Sequence, residues 1–565
     1  MKIQAQVLFA SLLIMGNQSE AARREPGAAR SVKLASVASV ASGTDVADAK
    51  AIESGASATA AGVTESPVNT YVKPGAVSGG STESIRIQLM GEPSSLDPAH
   101  LIDQYGLSIM RNVIQGLFKL DAQGKLVNGL VETYEISADG LSYRFKLKKN
   151  AKWSDGRAVT IEDFVFGLRR TVDPKVACAD ADSFLAIVNA REIFYGRAPV
   201  DSLGVKRVGN ELRIQLIRPD PAFLLELSMP SAGPIRRDLV EANKGKWSSR
   251  HPVTGDYFIA SQTREMIELQ PNPLFRARGH RPVTFKLVQE GVEALRQLES
   301  GELDILTRIP MASVNEMREK GLLKIVPSTT IFYVSFNLSK PPFNRLEWRR
   351  AIASVVDRKA IEAKLQGTFH AVTSYLPKEL DGALAYAPVA NKGAVNLVKK
   401  AIIQGKFPKT PIQFAFANSE VSALMAESLK EAFAKELGLE VTLAPTDLKS
   451  LLVRLTKDPP EMYLLGKTAY FNDSITHLAA FTNIPDANYS RYRSSEYEQL
   501  VNKIRLNPTS AKRIDLARRA NITLVNKDVV LVPLMMRSQT FGISPKIKGF
   551  KVSPYQVIHL AALRK

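Results

Sequence analysis

Between Ile85 and Phe118 the chain changes its apolar period twice, and this change limits the fold more than any other stretch. Ile85, Ile87 and Leu89 alternate with Arg86 and Gln88, the period of a half-buried strand. Pro93 and Pro98 follow, each pushing the residue ahead of it toward extended backbone. Leu101-Ile102-Asp103-Gln104 then reads as a short extended piece before Gly106. After that glycine, Leu107, Met110, Ile114 and Leu117 recur at helical spacing and predict a helix with one apolar face. A strand, an irregular extended segment and a helix in this order fit an α/β layer.

At 565 residues the chain is too long for one core, and about 100–200 residues per domain implies three or so units. Its net charge of +19 is spread among interleaved acids, as in Lys512-Arg513-Ile514-Asp515, with no basic run of the nucleic-acid type. A basic solvated surface is therefore expected rather than a nucleic-acid partner. Cys178 is the single cysteine, so no intrachain disulfide can form, and it reads as a small buried hydrophobe. The six histidines show no metal-ligand spacing, and no cofactor is expected. Gly466-Lys467-Thr468 lacks the earlier glycine of a phosphate loop, since Glu461 stands there.

Met1 to Ala21 carries Lys2, the apolar run Val7 to Met15 and the small-x-small end Ser19-Glu20-Ala21. This reads as a secretory signal peptide cut after Ala21, with no cysteine at the cut for a bacterial lipid anchor. Residues 22–81 are rich in Ala, Ser, Gly, Thr and Val, with Tyr71 the one aromatic, and read as a disordered linker.

Turn clusters at Asp121 to Gly124 and Ala138 to Gly140 separate alternating runs and predict hairpins, as does Gly209-Asn210. Thr160 before Ile161, Phe164 and Leu168, with Asp163 three residues on, predicts a capped helix start. Trp153 reads as a turn-and-core residue rather than a sugar platform. Ala294 to Leu306 predicts helix, turn and strand with Gly301 at the C-cap. Phe332, Val334 and Phe336 alternate as strand, Pro341-Pro342 breaks it, and a helix starts near Arg345. Ser422 to Leu437 follows as an amphipathic helix and Glu440 to Leu443 as a strand.

Taken together, the motifs "GEPSSLDP" from Gly91, "GLFKLDAQGKLV" from Gly116, "WSDGRAVTIEDF" from Trp153, "TGDYFI" from Thr254, "NPLF" from Asn272 and "SEYEQL" from Ser495 resemble one family. It is that of the extracytoplasmic solute-binding proteins of oligopeptide and dipeptide ABC transporters, solute-binding family 5. The resemblance extends from about residue 82 to the C-terminus. It implies an α/β, periplasmic-binding-protein-like fold with two lobes joined by a hinge and a small inserted third domain. Lobe I would comprise 82–115, 225–328 and 535–565, the inserted domain 116–224, and lobe II 329–534.

The family's ligand motif falls on Leu464 to Phe481. Gly466 and Ala469 match it, Lys467 stands where a tryptophan is usual, and Tyr470 stands where peptide binders place the aspartate for the ligand's α-amine. Loss of that acid counts against recognition of a free ammonium. Asp473 substitutes for it only in a different backbone register. Lys467 offers a cation to a carboxylate or phosphate, or else reaches solvent; Tyr470 offers a hydroxyl or a packed wall.

By resemblance, two strands would pair with an extended ligand: Leu101, Ile102, Asp103 and Gln104 from lobe I, and Gly466, Lys467, Thr468, Ala469 and Tyr470 from lobe II. The expected role is the monomeric binding subunit of an importer, taking peptides or peptide-like solutes in the periplasm. Hinge closure would then present them to an inner-membrane ABC permease, without catalysis. The alternatives are the same fold with an oligosaccharide, an N-blocked or anionic ligand, a chaperone or sensor role, or a periplasmic hydrolase.

Overall fold

The computed structural model describes residues 83–275, 280–378, 380, 382–383, 391–406, 411–469, 473–483, 488–507 and 510–565. The expected signal peptide, the linker 22–81 and Tyr470 lie outside the described residues. Among those described, no helix is long and apolar enough to cross a membrane.

One mixed sheet runs through most of the molecule. Its strands follow in the order Val441–Thr446, Ile412–Ala417, Met462–Lys467, Leu323–Phe336, Leu531–Ile543, Ile305–Leu306, Ile85–Leu89, Val283–Leu287, Met266–Pro271 and Tyr257–Gln262. Phe369–Ala371 pairs with Leu531–Ile543 to one side of this path. Ile412–Ala417 is parallel to both its neighbours, and the helix Glu420–Leu437 supplies the crossover a parallel pair requires.

Two long antiparallel strands, Leu323–Phe336 and Leu531–Ile543, connect two different cores. At one end Val326, Phe541 and Ile543 pack with Ile85, Ile87, Val113, Tyr257 and Leu563. At the other end the sheet is covered on both faces. Met462 and Leu464 join Val334, Phe414 and Leu429 on one face, whereas Tyr463 and Leu465 join Ile331, Leu451 and Tyr497 on the other. The alternation of buried residues along Met462 to Leu465 follows from the period of two. Between the cores the ladder slips: Pro327 pairs with Ser538 but Ile331 with Met536, leaving Ser328 to Thr330 out of register. A bulge of this kind bends and twists a strand pair. The sheet changes core at this irregularity.

A separate four-stranded sheet, Val131–Ile136, Ser142–Leu147, Glu211–Gln215 and Val205–Val208, packs with the helix Ile161–Val172 on a core of its own, from Leu117 to Ala232. Thr160 and Asp163 form the capping box expected from their spacing. Asp163 also accepts the indole N–H of Trp153 (3.1 Å), which is 2% exposed, so this tryptophan is a core residue and not a platform. Thr160→Ala is expected to cost about 1 kcal/mol of stability, measured by thermal unfolding.

Two sequence landmarks meet in space. The Asn272 amide donates to Gly255 O at 2.9 Å. A Cβ on Gly255 would lie 2.3 Å from Asn112 O, so only glycine lets this loop close on the helix Gln104–Val113. Arg349 and Asn337, the other conspicuous polar residues, donate to backbone: Arg349 to Phe343 O (2.6 Å), Asp528 O and Val529 O, Asn337 to Pro459 O (2.8 Å).

Candidate functional site

The first candidate segment leaves the strand Ile85–Leu89 through a polar loop fixed by two aspartates. Asp97 caps the single turn Pro98–His100, accepting from Ala99 N–H. Its carboxylate also takes both terminal nitrogens of Arg170, at 2.9 and 2.6 Å, from the helix Ile161–Val172. Burial would raise the Asp97 carboxyl, but the hydrogen bonds of His100 and Arg170 hold it well below the usual carboxylate range.

Asp103 caps the helix Gln104–Val113: one oxygen accepts Gly106 N–H (2.8 Å), the other Ser94 N–H (2.8 Å) and the Ser94 hydroxyl. The helix thus begins at Gln104, three residues before its apolar pattern starts, and Gly106 lies in its first turn. The extended piece is correspondingly one residue shorter, ending at Asp103, whose own backbone is extended. Leu101 is buried in the core and Ile102 is 52% exposed. Among the described residues, the backbone N–H and C=O groups of Leu101 and Ile102 have no hydrogen-bond partner.

The second segment continues the strand Met462–Lys467 past its last paired residue, Lys467, which faces Ile331. Thr468 and Ala469 are held by the out-of-register stretch of the neighbouring strand. The Thr330 and Thr468 hydroxyls lie 2.8 Å apart, and the Thr329 hydroxyl donates to Ala469 O at 2.7 Å. The same stretch reaches the first segment. The Gln539 amide donates to Pro327 O (3.1 Å) and Ser553 O (3.2 Å), while the Gln104 amide reaches Tyr555 O (3.4 Å). The second segment is thus bonded directly to the irregularity where the two cores join, and the first is linked to it through the chain from Ser553 to Tyr555. None of this side-chain bonding was readable from local sequence, because each pair is far apart along the chain.

The side chains of the second segment divide sharply. Asp473 is spent: it is 4% exposed, pairs with Arg513 at 2.7 Å and accepts Ile475 N–H at 2.9 Å. Lys467 is half-buried, and its ammonium makes no hydrogen bond or ion pair among the described residues. Burial lowers its ammonium pKa. Close by on the short helix Ile475–Leu478 is His477, fully buried, its ring 5.2 Å from that of Tyr375. Burial, and then the charge of Lys467, push His477 down to about 3, so its ring is neutral. Its Nε2 has no partner among the described residues. His477 was not foreseen: a lone histidine in an apolar run has no sequence signal that separates it from a core residue.

A sheet carried by two long strands from one core into another, with unpaired extended backbone where they join, defines a two-lobed binding protein. The model of the bacterial extracellular solute-binding proteins, family 5 (Middle), matches residues 125–488, more than half of the chain, and the protein belongs to this family. Among curated relatives, the probable deoxycholate-binding periplasmic protein YgiS of Escherichia coli (strain K12) is 28% identical over 86% of this chain and 92% of its own length. The periplasmic oligopeptide-binding protein OppA of the same organism is 26% identical over 81% of this chain and 88% of its own. In fold, the unliganded open form of the periplasmic murein tripeptide binding protein MppA is similar with a TM-score of 0.74, 23% identity, 86% of this chain and 98% of that one. Haemophilus influenzae OppA in complex with the peptide RPPGFSPFR gives 0.69 and 22%, over 86% and 99%.

Proposed function

We propose that this protein is the solute-binding subunit of an ABC importer, capturing peptides or peptide-like solutes in the periplasm as a monomer. The observation that carries this reading is the pair of tethered segments. Leu101-Ile102 offers unpaired peptide groups, and Lys467 to Ala469 extends a strand beyond its ladder, both at the joint between the lobes. An extended ligand laid between them adds backbone hydrogen bonds to each lobe and so favours the closed form. Leu101, Ile102, Gly466, Lys467, Thr468 and Ala469 then contact ligand. Asp103, Gln104 and Asp473 position those segments instead, as cap, tether and ion pair. The division into lobe I (82–115, 225–328, 535–565), inserted domain (116–224) and lobe II (329–534) is supported by the separate cores. The closed complex delivers its solute to a membrane permease, and the protein binds without turnover.

A second reading, a carboxylate-bearing apolar solute, is favoured by Tyr470 in place of an amine-binding acid and by the likeness to a probable deoxycholate binder. Native mass spectrometry of gently purified protein separates the two. A ladder of co-purified short peptides is expected; a single non-peptide mass would overturn the peptide reading.

A further inference from the structure

The lobe II end of the site contains a cation that no described residue neutralises. Lys467 is the last paired residue of its strand, opposite Ile331 and on the sheet face that carries Tyr333 and Leu465. That face is apolar and aromatic: Tyr333 lies 5.1 Å from Tyr375, and Tyr375 5.5 Å from Phe481, ring to ring. The two acids nearest in sequence are engaged elsewhere: Asp473 pairs with Arg513, and Glu461 accepts Gln413 N–H. The neighbouring His477 adds a buried, uncharged ring that sits against the Lys467 backbone. Withdrawing an ammonium from water without a counter-ion costs free energy, and an incoming anion recovers it.

We infer that Lys467, with His477 beside it, forms a carboxylate subsite, so that the solute's end in lobe II is an acid rather than an ammonium. This rests on the reading of the protein as a solute binder and deepens it. Several features agree. The strand direction brings Lys467 to the same out-of-register stretch that holds Thr468 and Ala469. A neutral imidazole donates or accepts a hydrogen bond without adding repulsion to the lysine. An apolar wall lowers the local polarity, which strengthens a lysine–carboxylate contact. A lysine that merely reached solvent would gain nothing from these neighbours.

The test uses the full chain and titration calorimetry with four pools of random tetrapeptides: free, N-acetylated, C-amidated and blocked at both ends. Deoxycholate is the fifth probe. Pools with a free carboxylate, acetylated or not, are expected to bind about tenfold or more tighter than their amides, the size of one charge-assisted hydrogen bond. Lys467→Met should abolish that preference while leaving the ligand-free melting temperature unchanged or higher. Lys467→Arg should keep the preference. Equal binding of acid and amide pools, or a preference that survives Lys467→Met, overturns the subsite and leaves the peptide reading standing. Binding of deoxycholate alone, lost in Lys467→Met, supports the subsite and overturns the peptide reading; if Lys467→Met keeps it, the subsite falls as well. No binding of any probe overturns both.

Discussion

Replacing Asp97 by Ala is expected to destabilise the protein by about 3–5 kcal/mol, the cost of leaving a buried charge without its partner. Arg170 would be the abandoned group. Its side chain is 7% exposed, and both of its bonded nitrogens point at the Asp97 carboxylate. The same substitution removes the cap of Pro98–His100, immediately before Leu101 and Ile102. Denaturant unfolding measures the loss, and the double variant Asp97→Ala/Arg170→Met is expected to recover most of it, because an apolar pair of similar volume carries no unpaired charge. A single-variant loss below about 1 kcal/mol would show that water reaches the pair and that it behaves as a surface bridge. Solute affinity should fall along with stability in the single variant, since the loop that aims the Leu101-Ile102 peptide groups loses its anchor.

What local sequence could reveal follows from what each feature depends on. The capping box at Thr160, the hairpin at Gly209-Asn210 and the strand alternation at Phe332 to Phe336 are set by residues within a few positions of one another, and the structure has all three. The apolar stripe marks this helix late because Asp103, not the glycine, starts it, and an N-cap lies outside the stripe. The site was legible only as two segments. Their tether through Gln539, Pro327, Thr329 and Thr330 spans more than a hundred residues in each direction, and the slip between Pro327 and Ile331 has no local marker. The same holds for Asp473, whose ion-pair partner Arg513 lies 40 residues along the chain.

Glu226→Gln is expected to stabilise the protein at neutral pH, because the amide stays uncharged without holding a proton that the unfolded chain releases. Glu226 is 7% exposed, and its Oε2 has no hydrogen-bond partner among the described residues. Burial, then the charges of Asp220 and Asp473, raise its carboxyl well above the usual range despite Arg218. The folded protein therefore holds a proton that the unfolded chain releases above about pH 4.3. Stability contributed by this group falls as pH rises from that value toward its raised folded pKa. Burial raises Asp180 and Asp220 as well, so they act in the same direction. Asp304 acts oppositely. Burial would raise it, but Arg86 and Lys565 hold it below its ordinary value, so its contribution is present above about pH 4 and is lost on acidification. Melting temperatures of wild type and Glu226→Gln should therefore coincide near pH 4 and diverge up to pH 8, with the variant higher. A constant offset across that range would mean that Glu226 titrates normally and that its carboxylate is solvated. Because Asp220 and Glu226 lie in the segment 117–232 while Asp473 and Arg513 come from the far end of the chain, the same curve reports how closely those two parts face each other. A solute that draws the lobes together should steepen the divergence between the wild type and Glu226→Gln.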